Sequence, residues 1–131
     1  MVATEIDALA VEAIALNAEV NGVLDRITAV DEDCVGRDVS GSFDVILAGD
    51  ICYDDDLSAA VSSWLHRQAR QGVRVLVGDP GRSFLRTELL REVASYDMPV
   101  DGDGQSAADD QVLECKGFSS TSVWEFVGVK G

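Results

Sequence analysis

The segment Phe43-Asp44-Val45-Ile46-Leu47-Ala48-Gly49-Asp50-Ile51-Cys52-Tyr53-Asp54 carries an apolar run that stops abruptly at a glycine and an acid. A short run rich in Val, Ile and Leu and punctuated in this way predicts a strand buried on both faces of a parallel sheet, because such strands show no polar alternation. In open α/β sheets the ligand crevice lies beyond the carboxyl ends of the strands. Asp50 and Tyr53 follow that end directly and are the candidate residues for chemistry. The competing reading gives Asp50 to the next helix as a cap, since the residues that follow have the look of a helix start.

A second apolar strand is predicted over 73–78, closed by Asp79-Pro80-Gly81-Arg82. Pro followed by Gly fits a type II turn in which Gly81 takes positive φ. The turn falls on the same sheet edge as Asp50, so Arg82 is either a partner for a carboxylate there or a plain surface arginine. Between the two strands the spacing of Leu57, Val61, Trp64, Leu65 and Gln68 predicts an amphipathic helix over 57–71, with acids at its start and His66, Arg67 and Arg70 near its end. His66 reads as structural and Trp64 as core.

Upstream, 2–6 reads as a strand, Asp7 as a helix cap, and 8–21 as a helix that is apolar around most of its circumference and ends at Gly22. Such a helix is expected to be largely covered. Glu5 stands at the strand end, where nucleotide-binding α/β folds use an acid to accept hydrogen bonds from ribose hydroxyls. Residues 24–30 read as another strand, ending in Asp31-Glu32-Asp33. Asp33 could take a hydrogen bond from an exocyclic amine such as adenine N6, or be one of three solvated acids. Downstream the expectations are a short helix over 88–94, a strand over 96–100, a polar loop over 101–111 and a terminal strand over 119–129. Gly102-Asp103-Gly104 in that loop lacks the following helix that a phosphate loop needs.

The 131 residues fit a single domain, and 24 acids against 10 Lys and Arg argue against nucleic acid as a partner. A basic protein partner, or acidity for solubility alone, is compatible with the charge of −14. Cys34, Cys52 and Cys115 are widely spaced, so neither a disulfide framework nor a zinc site is indicated and a reducing cytoplasm fits. The opening residues lack the features of a signal peptide, and no apolar stretch approaches the ~20 residues that cross a bilayer. Neither a membrane nor a metal is expected.

The predicted order of strands and helices resembles a class I, seven-β-strand S-adenosylmethionine-dependent methyltransferase entered at its second strand. Asp50-Ile51-Cys52-Tyr53 matches the D-x-x-Y signature of the lysine methyltransferases of that class, directly after the fourth strand. The longer stretches Gly49 to Leu57, Gly78-Asp79-Pro80-Gly81-Arg82 and Thr121-Ser122-Val123-Trp124 resemble the enzymes that modify the β subunit of electron transfer flavoprotein, as do Glu5-Ile6-Asp7 and Asn17-Ala18-Glu19-Val20-Asn21-Gly22. The resemblance implies a Rossmann-like α/β fold with a mostly parallel sheet, flanking helices and an antiparallel C-terminal strand. It also implies S-adenosylmethionine as cofactor and a lysine-bearing protein, such as the flavoprotein β subunit, as substrate. On that pattern Glu5 holds the ribose, Ile6 packs on the adenine, Asp33 meets its amine, and Asp50 with Tyr53 borders the transferring methyl group. The family's first strand and glycine-rich loop have no counterpart here, so the expectation is a partial methyltransferase domain over 1–131, truncated at its N-terminal side. A fragment, completion by another chain, or direct pairing of the second and fourth strands would each answer that departure. The alternative function is a noncatalytic remnant that binds a protein partner.

Overall fold

In the computed structural model of the chain, residues 1–97 and 119–127 are described. Contacts divide the chain into two compact units, Met1–Arg37 and Asp38–Gly131.

In the first unit, β1 (Val2–Glu5) pairs in parallel with β2 (Thr28–Asp31), with Glu5 opposite Asp31 at the carboxyl ends. The helix α1 (Ala8–Val20) connects them, as a parallel pair requires. Asp7 caps α1 by accepting hydrogen bonds from the backbone N–H groups of Leu9 (2.8 Å) and Ala10 (3.4 Å). Gly22 then takes φ +66°, the left-handed turn that ends the helix. Two expectations need correction. Residues 24–26 form a turn of 3-10 helix rather than the start of a strand, so β2 begins only at Thr28. The apolar surface of α1 is largely exposed, with Leu9 at 74%, Leu16 at 62% and Val20 at 86%, since a two-stranded sheet has only enough face to cover one side of it.

The second unit is built on a four-stranded sheet in the order β3-β4-β6-β5. β3 (Val45–Gly49) and β4 (Arg74–Asp79) are parallel and joined by α2 (Asp55–Arg70). β6 (Ser120–Phe126) runs antiparallel to both β4 and β5 (Leu90–Asp97), which confirms the antiparallel C-terminal strand in an otherwise parallel α/β pattern. The core lies where α2 packs on β4: Val61, Trp64, Leu65, Val75, Val77 and Phe126 are buried. His66 stacks on Phe126 with ring centroids 6.0 Å apart, the structural role expected of it.

β3 is not buried on both faces. Val45 is 46% and Leu47 69% exposed, because both lie on the sheet face opposite the one that carries the buried Val75 and Val77, whose register partners are Ile46 and Ala48. The helix expected over 88–94 is also replaced: Thr87–Leu89 is a single 3-10 turn, and β5 begins at Leu90. The residues of this segment have helical propensity, but seven of β5's positions pair with β6, including Arg91 with Glu125, and that pairing outweighs local preference. The strand expected over 96–100 therefore starts earlier. Its last residues, the polar loop over 101–111 and the end of the terminal strand lie outside the described residues.

Candidate functional site

The end of β3 and the end of β4 build the site in the second unit. The backbone N–H of Asp50 donates to the Gly78 carbonyl (2.9 Å), extending the β3–β4 ladder one step, and the chain then turns sharply. Asp50 makes that turn at φ +51°, a left-handed conformation that non-glycine residues avoid and that aspartate tolerates better than most. Among the described residues it is the only non-glycine with positive φ. Backbone strain of this kind persists only where surrounding structure imposes it, and it gathers at functional positions. Helix capping does not explain it. Asp54 is the cap of α2, its carboxylate accepting from the Leu57 N–H at 2.9 Å.

The carboxylate of Asp50 is instead held by Arg82. The guanidinium donates from Nε to one carboxylate oxygen and from a terminal nitrogen to the other (2.9 Å), a two-point fork. These bonds hold the Asp50 carboxyl below its usual pKa, against a smaller opposing effect of partial burial. Arg82 is anchored in turn. Its backbone N–H and that of Gly81 both donate to Oδ1 of Asp79 at 2.7 Å, and Asp79 is 1% exposed. Gly81 takes φ +94°, the positive value expected of it.

Beside this pair lies an open pocket of about 180 Å³ lined by Cys52, Tyr53, Gly81, Arg82, Ser83 and Phe84. Tyr53 and Phe84 are 61% and 40% exposed, so two aromatic rings stand at its rim. Cys52 forms the floor at 1% exposure, and burial first, then the Asp79 charge, pushes its thiol pKa up. The structure thus groups Asp50 and Tyr53 with Arg82. Sequence reading missed Cys52, Ser83 and Phe84. The signal available for Phe84 was an aromatic two residues beyond the Gly81-Arg82 turn, on the edge already assigned to ligands.

Glu5, Ile6 and Asp33 lie in the first unit, where all three leave the carboxyl ends of the β1–β2 pair. Oε1 of Glu5 accepts from the N–H groups of Ile6 (2.7 Å) and Asp7 (3.1 Å), which fixes the carboxylate while Oε2 has no partner among the described residues. Ile6 is 73% exposed, an apolar side chain presented to solvent. Asp33 folds onto its own loop, accepting from the Val35 N–H at 2.8 Å with Oδ1. An anchored carboxylate with a free oxygen beside an exposed isoleucine fits a ribose joined to a flat base. Cys34 and Cys52 are free thiols, and among the described residues no helix is long and apolar enough to cross a membrane.

No family model matches the chain. Curated relatives do. The chain is 34% identical over 131 residues to the electron transfer flavoprotein beta subunit lysine methyltransferase of Xenopus laevis, covering 96% of this chain and 49% of that protein. It is 30% identical to the protein of the same name from Mus musculus, covering 96% of this chain and 47% of that one. The chain therefore spans about half the length of the curated relatives it matches. Among solved structures, StiE O-MT residues 961-1257 superposes with a TM-score of 0.52 at 11% identity, over 99% of this chain and 60% of that one. That likeness shows a shared α/β fold and no more.

Proposed function

We propose, with the resemblance to the flavoprotein β-subunit lysine methyltransferases as premise, that this chain is the catalytic-loop portion of an S-adenosylmethionine-dependent protein-lysine methyltransferase. Asp50 and Tyr53 border the reacting groups. Glu5, Ile6 and Asp33 hold the ribose and adenine of the cofactor, Glu5 through the oxygen that its backbone contacts leave open. The substrate is a lysine of a protein such as the electron transfer flavoprotein β subunit, and the free thiols agree with a reducing compartment such as the cytosol. The observation that carries the reading is Asp50: strained into a left-handed turn at the end of β3, relieved of any capping role by Asp54, and held by Arg82 beside an aromatic-rimmed pocket.

When bound, the cofactor supplies an electrophilic methyl group on a sulfonium. The residues of this chain have to present a neutral lysine amine with its lone pair in line and to accommodate positive charge as it develops on nitrogen. The Asp50 carboxylate does both: Arg82 occupies one acceptor position on each oxygen, and the remaining lone pairs accept an N–H of the amine. That contact orients the amine, eases loss of its proton, and strengthens as nitrogen becomes cationic. Tyr53 offers an aromatic wall to the same cation.

The test is to incubate the natural polypeptide that carries this sequence with S-adenosylmethionine and the flavoprotein β subunit, and to map methyl groups by peptide mass spectrometry. Methylation confined to lysine is expected. Cofactor turnover that leaves lysine unmodified on this and other lysine-bearing proteins contradicts the reading.

A further inference from the structure

We propose that Arg82 is the positioning residue of the reaction, acting through Asp50 rather than on the substrate. This rests on the function proposed above and adds a residue to it. Three observations carry the inference. The Arg82 guanidinium grips both oxygens of the Asp50 carboxylate, which fixes the plane of that carboxylate as well as its place. Arg82 is itself fixed at its backbone by the buried Asp79, so the grip starts from the sheet and not from a free loop. Asp50 sits on a strained turn with its side chain 58% exposed, while that of Arg82 is 23% exposed; burial orients the arginine, and the arginine orients the acid. A lone exposed carboxylate on such a turn would sample several rotamers, and a contact meant to align a lone pair loses effect with small displacements.

The relay Asp79–Arg82–Asp50 yields an expectation that a purely structural arginine does not share. Removing Arg82 harms catalysis only as long as Asp50 is there to be misplaced. The experiment is a double-mutant cycle on kcat in the natural polypeptide, with Asp50→Ala, Arg82→Ala, the double variant and Arg82→Lys. Arg82→Ala is expected to lower kcat about tenfold or more in the presence of Asp50 and by less than about twofold in the Asp50→Ala background, with cofactor affinity unchanged. Arg82→Lys keeps the charge and the fold but not the two-point grip, and is expected to stay several-fold below wild type. A second readout needs no turnover: the Asp50 carboxyl, titrated by carbon NMR, should shift upward in Arg82→Ala. Equal losses from Arg82→Ala in both backgrounds, full recovery with Lys, or an unmoved titration each overturns the role given to Arg82. Absence of methyl transfer in the wild type overturns the proposed function instead, and leaves the titration to decide whether the arginine holds the acid.

Discussion

Cys52 and Asp50 lie two residues apart and have opposite electrostatic surroundings, which gives each a separate test. Burial and the nearby Asp79 charge raise the Cys52 thiol pKa, so little thiolate forms near neutrality and the sulfur is covered as well. Iodoacetamide at neutral pH, followed by peptide mapping, should label the half-buried Cys34 well before Cys52; equal labelling of the folded protein contradicts the packing described. For Asp50 the shift is downward, through its bonds to Arg82. A carboxyl whose folded pKa is depressed stabilises the fold above its unfolded value, here 3.8, and loses that contribution as pH falls through the folded value. The stability difference between wild type and Arg82→Ala, read by denaturant titration, should therefore be small at pH 7, because the Asp50 carboxylate is largely exposed and solvent screens it, and shrink further below pH 3.8. A difference that grows on acidification contradicts the pairing.

At the scale of elements, α2 and β6 hold the second unit together by different means. Leu65 on α2 is 1% exposed, so Leu65→Ala should cost about 2–5 kcal/mol by thermal or denaturant unfolding, whereas Leu57→Ala on the same helix, 37% exposed, should cost much less. β6 is tied to both neighbours by Glu125, which pairs with Arg74 of β4 (2.9 Å) and Arg91 of β5 (2.6 Å). Hydrogen bonds from Arg91 first and Arg74 second depress the Glu125 pKa below 4.5. By the same sign, Glu125→Gln should lower the melting temperature at pH 7 and have a diminishing effect as pH falls below 4.5; a pH-independent loss would point to packing instead. These elements also show what was readable beforehand. β3, α2 and β4 could be placed because Gly49, Gly72 and the Pro80-Gly81 turn punctuate apolar runs of clear period. β5 could not, since Glu88 to Ala94 carries helical propensity and becomes strand only through partners on β6, which are distant in sequence. The Asp50–Arg82 pair was visible as an acid and an arginine on one sheet edge, but the capping role it competed with was settled only by Asp54. Exposure of β3 and α1 was not readable either, because an apolar pattern records what a segment can bury and not whether it is covered.

For the molecule as a whole, the resemblance implies that the family's glycine-rich loop contacts the methionine end of the cofactor, and among the described residues no strand leads through such a loop into a helix. Each hydrogen bond to a charged group contributes roughly 1.5–3 kcal/mol, so the loss of two weakens binding by about two to four orders of magnitude. Isothermal titration of the isolated 131-residue chain with S-adenosylmethionine should accordingly show weak binding or none; micromolar binding abolished by Glu5→Ala would mean that these residues form a complete cofactor site. The claim on which the account depends is that methyl transfer takes place at the Asp50 loop. Its most direct measurement is the single-turnover rate of methyl transfer to lysine by the natural polypeptide and its Asp50→Ala variant, at saturating cofactor and with melting temperatures compared. The account predicts a fall on the order of 10² or more in rate with the fold retained, and transfer by the folded variant at the wild-type rate would contradict it.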